Sequence, residues 1–173
     1  MIVEAFDRVR AEADVNDLAD MLVEAVKDGA LIGYVLPFDK ETARIYWQGV
    51  LASIDAGERL LFCALDGDQV VGTVQLYLSP EPNAPHRGEV YKLLVRRDFQ
   101  RQGIGAALMR AVEDEARRHG RMLLLLDTAE GGAGERLYRR IGWREIGAVP
   151  NHFVDPQGRP KTSIYFMRAL DGV

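Results

Sequence analysis

The residues best suited to bind a charged ligand are two glycines, Gly103 and Gly105, between a predicted strand and a predicted helix. Residues 89–95 are rich in apolar and aromatic side chains, as is typical of a strand. A ligand can approach a glycine backbone closely, and the first N–H groups of a helix carry partial positive charge without an intrahelical partner. The segment therefore predicts a phosphate or pyrophosphate site. The predicted helix after it carries apolar residues at helical spacing, namely Ile104, Ala107, Leu108, Ala111 and Val112.

Two well-known phosphate loops are excluded by the residues that follow. A dinucleotide-binding fingerprint needs a third glycine, but Leu108 stands three residues after Gly105. A P-loop needs Gly-Lys followed by Ser or Thr, and no lysine follows the glycines here. The alternative to an anion site is a strand-to-helix turn that uses glycine only for its backbone geometry.

The pattern Gln100-x-x-Gly103-x-Gly105 resembles the Q/R-x-x-G-x-G/A signature of the GNAT family of N-acetyltransferases. Residues 137–143, with the sequence LYRRIGW, resemble that family's L-Y-x-x-x-G-F/W segment, and the resemblance covers most of the chain from Leu60 onward. Within the family, short segments are similar to the tabtoxin-resistance acetyltransferases, namely 55–57, 74–76, 82–83, 89–93, 125–128 and 156–159.

Composition limits the classes of protein that fit. A chain of 173 residues with 47% hydrophobic and 28% charged residues is long enough for a sizeable core in one domain, 1–173. The net charge of −4 argues against nucleic acid as a partner, because a broad basic surface is lacking. No apolar run approaches a membrane span, and the N-terminus lacks the features of a signal peptide. We therefore expect a cytoplasmic protein without a membrane partner.

Cysteine and histidine usage predicts neither a disulfide nor a metal site. The single cysteine, Cys63, lies in an apolar run and is expected to be a buried core thiol. The three histidines, His86, His119 and His152, show no metal-ligand spacing with one another or with Cys63.

The order of elements predicts an α+β fold: a mixed, mostly antiparallel sheet with one parallel step. The hairpin turn Asp66-Gly67-Asp68 joins two strands, and a strand–helix–strand unit follows Glu89. The resemblance implies the GNAT fold, a twisted sheet flanked by helices with a V-shaped split between its two central parallel strands. Strands are predicted over 2–10, 59–65, 70–78, 89–95, 122–126, 143–149 and 161–170. Helices are predicted over 18–26, after Asp14 or Asn16, and over 40–54, 103–119 and 133–141.

The resemblance also implies a cosubstrate, acetyl-CoA, and the groups that hold it. It assigns the pantetheine arm to the backbone of Leu93, Leu94 and Val95, with the Val95 N–H polarising the thioester carbonyl. It assigns the pyrophosphate to the segment Gln100, Arg101, Gln102, Gly103, Ile104, Gly105 and Ala106. Either of two roles is open for Arg96, Arg97 and Arg101: each is a ligand of the coenzyme's phosphates or a solvated surface charge.

Three residues are candidates for catalysis. The family's tyrosine corresponds to Tyr138, whose phenol is protonated at neutral pH and can donate a proton to a leaving thiolate. Glu89 and Asp127, at the edges of the predicted split, can bind an ammonium group and act as the base. The alternatives are a core tyrosine and two structural carboxylates. The asparagine that many family members carry seven residues before the tyrosine is Gly131 here, so that coenzyme contact is in doubt or is replaced by a backbone contact.

The acceptor is expected to contact the loop 29–38, the second helix and the loop 150–160. Tyr34, Phe38, His152 and Phe153 are the predicted wall residues. The first hypothesis is direct transfer, in a ternary complex, of an acetyl group to the amine of a small molecule such as an amino-acid-like compound, toxin or antibiotic. The alternatives are acetylation of a protein lysine or N-terminus, and a non-catalytic module that senses acyl-CoA. The last strand is predicted to be able to pair across a homodimer.

Overall fold

A computed structural model describes residues 1–170, and seven strands in it form one mixed sheet. The strands are β1 Ile2–Phe6, β2 Arg59–Asp66, β3 Gln69–Leu78, β4 Arg87–Val95, β5 Leu123–Ala129, β6 Arg144–Val154 and β7 Pro160–Ala169. Their order across the sheet is β1-β2-β3-β4-β5-β7-β6. Only the central β4–β5 pair is parallel, as the βαβ unit in the sequence predicted.

Five helices flank the sheet: α1 Arg8–Ala13, α2 Val15–Lys27, α3 Lys40–Asp55, α4 Ile104–Arg118 and α5 Ala133–Arg140. Asp39 caps α3 as predicted, since its carboxylate accepts a hydrogen bond from the Thr42 N–H at 2.8 Å. The predicted first strand over 2–10 is wrong beyond Phe6. The Asp7 carboxylate accepts from the Arg10 N–H at 2.8 Å and thereby begins α1. None of the helices in residues 1–170 is long and apolar enough to cross a membrane.

The two faces of the sheet carry two separate cores because alternate strand residues point to opposite sides. Phe62, Val74 and Leu124 pack on one face with α4 and with Tyr138 of α5. On the other face, Leu61 packs with α1, α2 and α3. We call these the α4 face and the α3 face, and the distinction matters because the candidate catalytic residues are divided between them.

The V-shaped split lies between β4 and β5. Their parallel pairing covers only three positions and ends at Glu89 opposite Leu125. Beyond that point β4 continues to Val95 and β5 continues to Ala129 without pairing with each other. The two strands therefore diverge and leave the edge of β4 open toward the gap.

The C-terminal part of the sheet differs from the sequence prediction in two ways. Residues up to Val154 belong to β6, so the predicted loop 150–160 is shorter, and Pro150 lies where the β6–β7 register shifts between Val149 and Phe153. A proline is tolerated at such an irregularity, above all on an edge strand. The prediction that the last strand is free to pair across a dimer is also wrong, because β7 lies between β5 and β6. At this end of the sheet the exposed edge strand is β6, and at the other end it is β1.

Candidate active site

The start of α4 is an anion site built from backbone. Gly103 has φ of 85° and immediately precedes the helix, and no side chain caps the first turn. The Ala107 N–H makes the first main-chain bond of the helix, to the Gly103 carbonyl at 3.0 Å. The N–H groups of Ile104, Gly105 and Ala106 therefore have no intrahelical acceptor, and no acidic residue in the first turn repels an anion.

Two glutamines fix the loop before this helix. The Gln100 side-chain amide donates to the Val95 carbonyl at 3.1 Å, and the Gln102 amide donates to the Asp98 carbonyl at 3.1 Å. Gln100 thus ties the loop to the end of β4, and Gln102 closes the loop on itself. Gln100 belongs to the predicted coenzyme segment, but its side chain holds the shape of the loop rather than reaching outward.

The two glycines serve different purposes. Gly103 has the left-handed backbone that glycine adopts without strain, and a Cβ there would meet no atom within 4 Å. A Cβ on Gly105 would lie 3.0 Å from Leu137 Cδ2. Close packing of α4 against α5 is therefore a reason for glycine at 105 that the sequence does not reveal.

The three candidate arginines differ in whether their side chains are free to bind a phosphate. Arg96 donates to the carboxylates of Asp17 and Glu24 and to the Val70 carbonyl, and its side chain is only 11% exposed. The reading of Arg96 as a phosphate ligand is therefore wrong, since its role is to hold α2 on the sheet. Arg97 pairs with Asp28 at 3.1 Å but is 72% exposed. Arg101 is exposed and makes no ion pair within residues 1–170.

A bulge in β4 shapes the strand next to the gap. Lys92 has φ of 51°, and the β3–β4 register places one extra residue between Tyr91 and Leu94. Such a bulge bends the strand and re-aims the groups that follow it. The segment Leu93, Leu94 and Val95 therefore runs along the open side of β4, where an extended ligand can add to the strand.

The two candidate carboxylates lie on the α3 face at the split. Glu89 is the last β4 residue paired with β5, and it accepts a hydrogen bond from the Tyr91 hydroxyl. Arg87 lies 3.7 Å from the other Glu89 oxygen. Asp127 lies two residues past the last paired position of β5 and accepts from the Ser163 hydroxyl at 2.5 Å. The structure therefore brings both carboxylates to the same gap, as the sequence predicted for their placement.

Tyr138 approaches the gap from the α4 face. Its ring is 6% exposed and packs against Trp143 and Phe166, with centroids 6.0 and 5.7 Å away. Burial, together with the charge of Asp127, raises the pKa of Tyr138 well above its usual range. Its hydroxyl has no hydrogen-bond partner in residues 1–170 and is not among the fully buried unpaired atoms. A neutral phenol with a free, accessible hydroxyl can donate a proton.

Two of the predicted wall residues, His152 and Phe153, lie on β6, and His152 contacts β7 beside Asp127. Tyr165 of β7 lies opposite Asp127 in the register, and the His152 ring nitrogen lies 3.1 Å from the Tyr165 hydroxyl. His152 and Phe153 pack edge to face at 5.9 Å. The pairing of β6 with β7 thus carries His152 to the β5 side of the gap, whereas Phe153 pairs with Lys161 further along β7.

The other two predicted wall residues lie on the β4 side. Tyr34 is half-buried, and the Lys92 ammonium lies 5.7 Å from its ring centroid. Phe38 is buried in the core of the α3 face, with its ring 4.4 Å from that of Tyr34. Phe38 therefore packs against the Tyr34 ring from its core side.

Comparisons with known proteins agree with this geometry. The model of the acetyltransferase (GNAT) family matches residues 37–143. A protein of Azospirillum brasilense, described as an uncharacterized N-acetyltransferase in the hisH-hisA intergenic region, is 35% identical over 131 residues, which cover 74% of this chain and 75% of that protein. The chain belongs to the GNAT acetyltransferase family.

Solved structures show the same GNAT fold. The yncA protein of Salmonella typhimurium, a proposed acetyltransferase described with its cofactor acetyl-CoA, has a TM-score of 0.81 at 19% identity, covering 100% of this chain and 95% of that one. A ribosomal-protein-alanine N-acetyltransferase of Brucella melitensis has a TM-score of 0.82 at 22% identity, covering 98% and 100%. At such identities the likeness concerns the fold alone. The resemblance to tabtoxin-resistance acetyltransferases stays a hypothesis.

Gly131 stands where many GNAT proteins carry asparagine, and both of its backbone polar groups are already hydrogen-bonded. The Gly131 N–H donates to the Glu135 carboxylate at 2.5 Å, and its carbonyl accepts from the Arg136 guanidinium at 2.7 Å. Both backbone groups therefore stabilise the start of α5. The predicted replacement of the asparagine contact by the backbone of Gly131 would have to compete with these bonds.

Several residues of the site were missed from the sequence. Tyr91 could have been found, because it stands two residues after Glu89 and so shares its strand face. Arg59, Gln75 and Lys92 carried no comparable signal, since their proximity depends on strand pairing and on the bulge. Among residues 1–170, no group of three or more potential ligands is placed to hold a metal ion.

Proposed function

We propose that this GNAT protein transfers an acetyl group from acetyl-CoA to the amine of a small molecule, directly and in a ternary complex. The observation that carries the proposal is the continuous path from the unpaired N–H groups of α4, along the open edge of β4, to the split between Glu89 and Asp127. The yncA neighbour, described with acetyl-CoA as its cofactor, supports this cosubstrate.

The backbone would hold the coenzyme. The N–H groups of Ile104, Gly105 and Ala106 would bind its pyrophosphate, because a helix start favours negative charge. The open edge of β4 at Leu93, Leu94 and Val95 would bind the pantetheine arm, and the Val95 N–H would stabilise negative charge on the carbonyl oxygen. Bound there, the coenzyme supplies an acetyl thioester.

Side chains from both sheet faces would carry out the proton transfers of the reaction. Glu89 and Asp127 would bind the ammonium of the acceptor and remove its proton, directly or through water, and either can be the base. Tyr138 would donate a proton to the departing thiolate from the opposite face. The split brings the two faces together, which explains why catalytic groups of two separate cores can act on one reaction.

A second candidate is acetylation of a protein N-terminus or lysine. The Brucella neighbour, described as a ribosomal-protein-alanine N-acetyltransferase, supports this alternative. The small-molecule acceptor is favoured because polar aromatic side chains surround the gap on its acceptor side, including Tyr34, Tyr91 and Tyr165. A peptide would need to lie over these groups in an open groove.

Three further predictions belong to the same proposal. The protein would act in the cytoplasm, as a single domain over residues 1–173. If it forms a homodimer through strand pairing, the strand that pairs would be β6, the longer of the two exposed edge strands.

The test is a thiol-release assay with acetyl-CoA and a panel of amines. The panel would contain amino acids, aminoglycosides, polyamines and peptides with free N-termini. Release of coenzyme A that depends on a small amine is the expected result. Release with peptides or proteins alone would favour the second candidate, and acetyl-CoA binding without release for any amine would overturn the enzymatic proposal.

A further inference from the structure

Two cations beside the catalytic gap have no acidic partner. Lys92 and Arg59 both lie on the α3 face, and neither forms an ion pair within residues 1–170. Lys92 is held between two tyrosine rings, 5.7 Å from the centroid of Tyr34 and 5.5 Å from that of Tyr46. The Arg59 guanidinium lies 5.4 Å from the Tyr91 centroid. Partly buried charges normally have ion-pair partners, so an anionic ligand could supply the partner that both cations lack.

The same cluster contains hydrogen-bond donors without acceptors. Gln75 is fully buried, and its carbonyl oxygen already accepts from the Tyr46 hydroxyl at 3.0 Å and from Arg59 at 2.5 Å. Its amide nitrogen has no partner, and the Arg59 Nε has none either. Both atoms are closed to solvent, so they give the cluster more donors than acceptors but do not themselves reach a ligand.

The cluster lies next to the proposed ammonium site, and Tyr91 connects them. The ring of Tyr91 contacts the Arg59 guanidinium, and its hydroxyl donates to Glu89. Tyr91 therefore lies between the Arg59 guanidinium and the Glu89 carboxylate.

We propose that Arg59 and Lys92 form a carboxylate-binding subsite, and that the acceptor is an amino acid or a close analogue of one. The proposal rests on the proposed acetyltransfer at the split. An acceptor that carries an ammonium and a carboxylate a few bonds apart matches Glu89 and Asp127 on one side of Tyr91 and the two cations on the other. Aminoglycosides and polyamines carry no carboxylate and would leave the two cations unpaired.

The test compares matched acceptors in the presence of acetyl-CoA. The twenty L-amino acids would be assayed beside their α-carboxamides and their decarboxylated amines. Loss of a charged hydrogen-bonded contact lowers affinity roughly 10- to 100-fold, and we expect a decrease of this size in kcat/KM for the acceptors without a carboxylate. Equal kcat/KM for an amino acid and its decarboxylated amine would overturn the subsite and leave the acetyltransferase proposal intact.

Substitutions of Arg59 and Lys92 test whether these residues recognise the carboxylate of the acceptor. Arg59→Met and Lys92→Met should each raise KM for the amino acid while leaving the values for the decarboxylated amine within about twofold. Arg118→Met is the matched control, because Arg118 is 72% exposed at the far end of α4. Retained acetyl-CoA binding would show that each variant is folded. An unchanged KM for the amino acid in both folded variants would contradict the proposal.

A binding measurement separates this proposal from the acetyltransfer proposal. Calorimetry of the same amino acids, with coenzyme A present, needs no turnover. Binding that requires the carboxylate and is lost in Arg59→Met would support the subsite even if no acceptor is acetylated, in which case only the acetyltransfer proposal fails. The absence of both turnover and carboxylate-dependent binding would overturn both.

Discussion

At the scale of single residues, the candidate site combines a buried phenol with two hydrogen-bonded carboxylates. Tyr138 is buried on one face of the sheet, whereas Glu89 and Asp127 accept hydrogen bonds from hydroxyl groups on the other. Burial favours the neutral form of a phenol, so Tyr138 remains a donor across the neutral range. The sequence motif named this tyrosine, but only the fold shows that its hydroxyl is unpaired and accessible.

Removal of the Tyr138 hydroxyl is the first residue-scale prediction. Tyr138→Phe keeps the ring that packs against Trp143 and Phe166, so the fold should be preserved. We expect kcat to fall about 100-fold, the usual range for loss of a general acid, with acetyl-CoA affinity nearly unchanged. Steady-state kinetics and calorimetry measure the two quantities. Unchanged kcat would remove Tyr138 from the mechanism.

The second residue-scale prediction concerns alkaline pH. Burial raises the pKa of Tyr34, Tyr138 and Tyr165, raises that of Tyr46 to about 12, and with the Glu89 hydrogen bond raises that of Tyr91. A raised folded pKa contributes stability that is fully present below the unfolded value of about 10 and is lost as the pH rises through the folded value. Stability should therefore decline between about pH 10 and 12.

Ultraviolet titration of phenolate absorbance, followed together with circular dichroism, measures this effect. Most tyrosines should ionise only as the protein unfolds. Ionisation of five of the six tyrosines near pH 10 in a protein that remains folded would contradict the burial argument.

At the scale of elements, the site depends on how closely α5 lies on β5 and α4. A Cβ on Gly134 would lie 2.7 Å from Thr128 Oγ1 and 3.3 Å from Tyr138 Cε2. The elements themselves were predictable from the sequence, because the stripe of α4 and the turn at Gly67 follow local periodicity and turn chemistry. Three features were not predictable from the sequence, because local capping and strand register decide them: helix α1, the length of β6 and the bulge at Lys92.

The packing of α5 gives an element-scale prediction with a matched control. Gly134→Ala should lower both stability and kcat, because overpacking typically costs about 1–3 kcal/mol and the Tyr138 ring must shift. Gly49→Ala is also a substitution inside a helix, but its Cβ would meet nothing within 4 Å. It should stabilise α3 by up to about 1 kcal/mol. Thermal and chemical unfolding measure both, and equal effects at the two positions would contradict the packing argument.

At the scale of the whole molecule, a single break in a sheet organises the function. The split between β4 and β5 opens a passage between the two cores. The start of α4 lies beside β4, one of the two strands that form the split. The sequence predicted this split through the family resemblance. It could not predict the clustering of Arg59, Gln75 and Lys92, because those residues lie on three strands and meet only through long-range pairing.

The most direct test of the account follows the acetyl group itself. The protein would be incubated with acetyl-CoA and the amine acceptors, and both the small molecules and the intact protein would be analysed by mass spectrometry. The account predicts an N-acetylated small amine, formed in equal amount to free coenzyme A, and a protein that carries no acetyl group. An acetylated protein as the kinetically competent species, or acetyl-CoA consumption without an acetylated amine, would contradict direct transfer at the split.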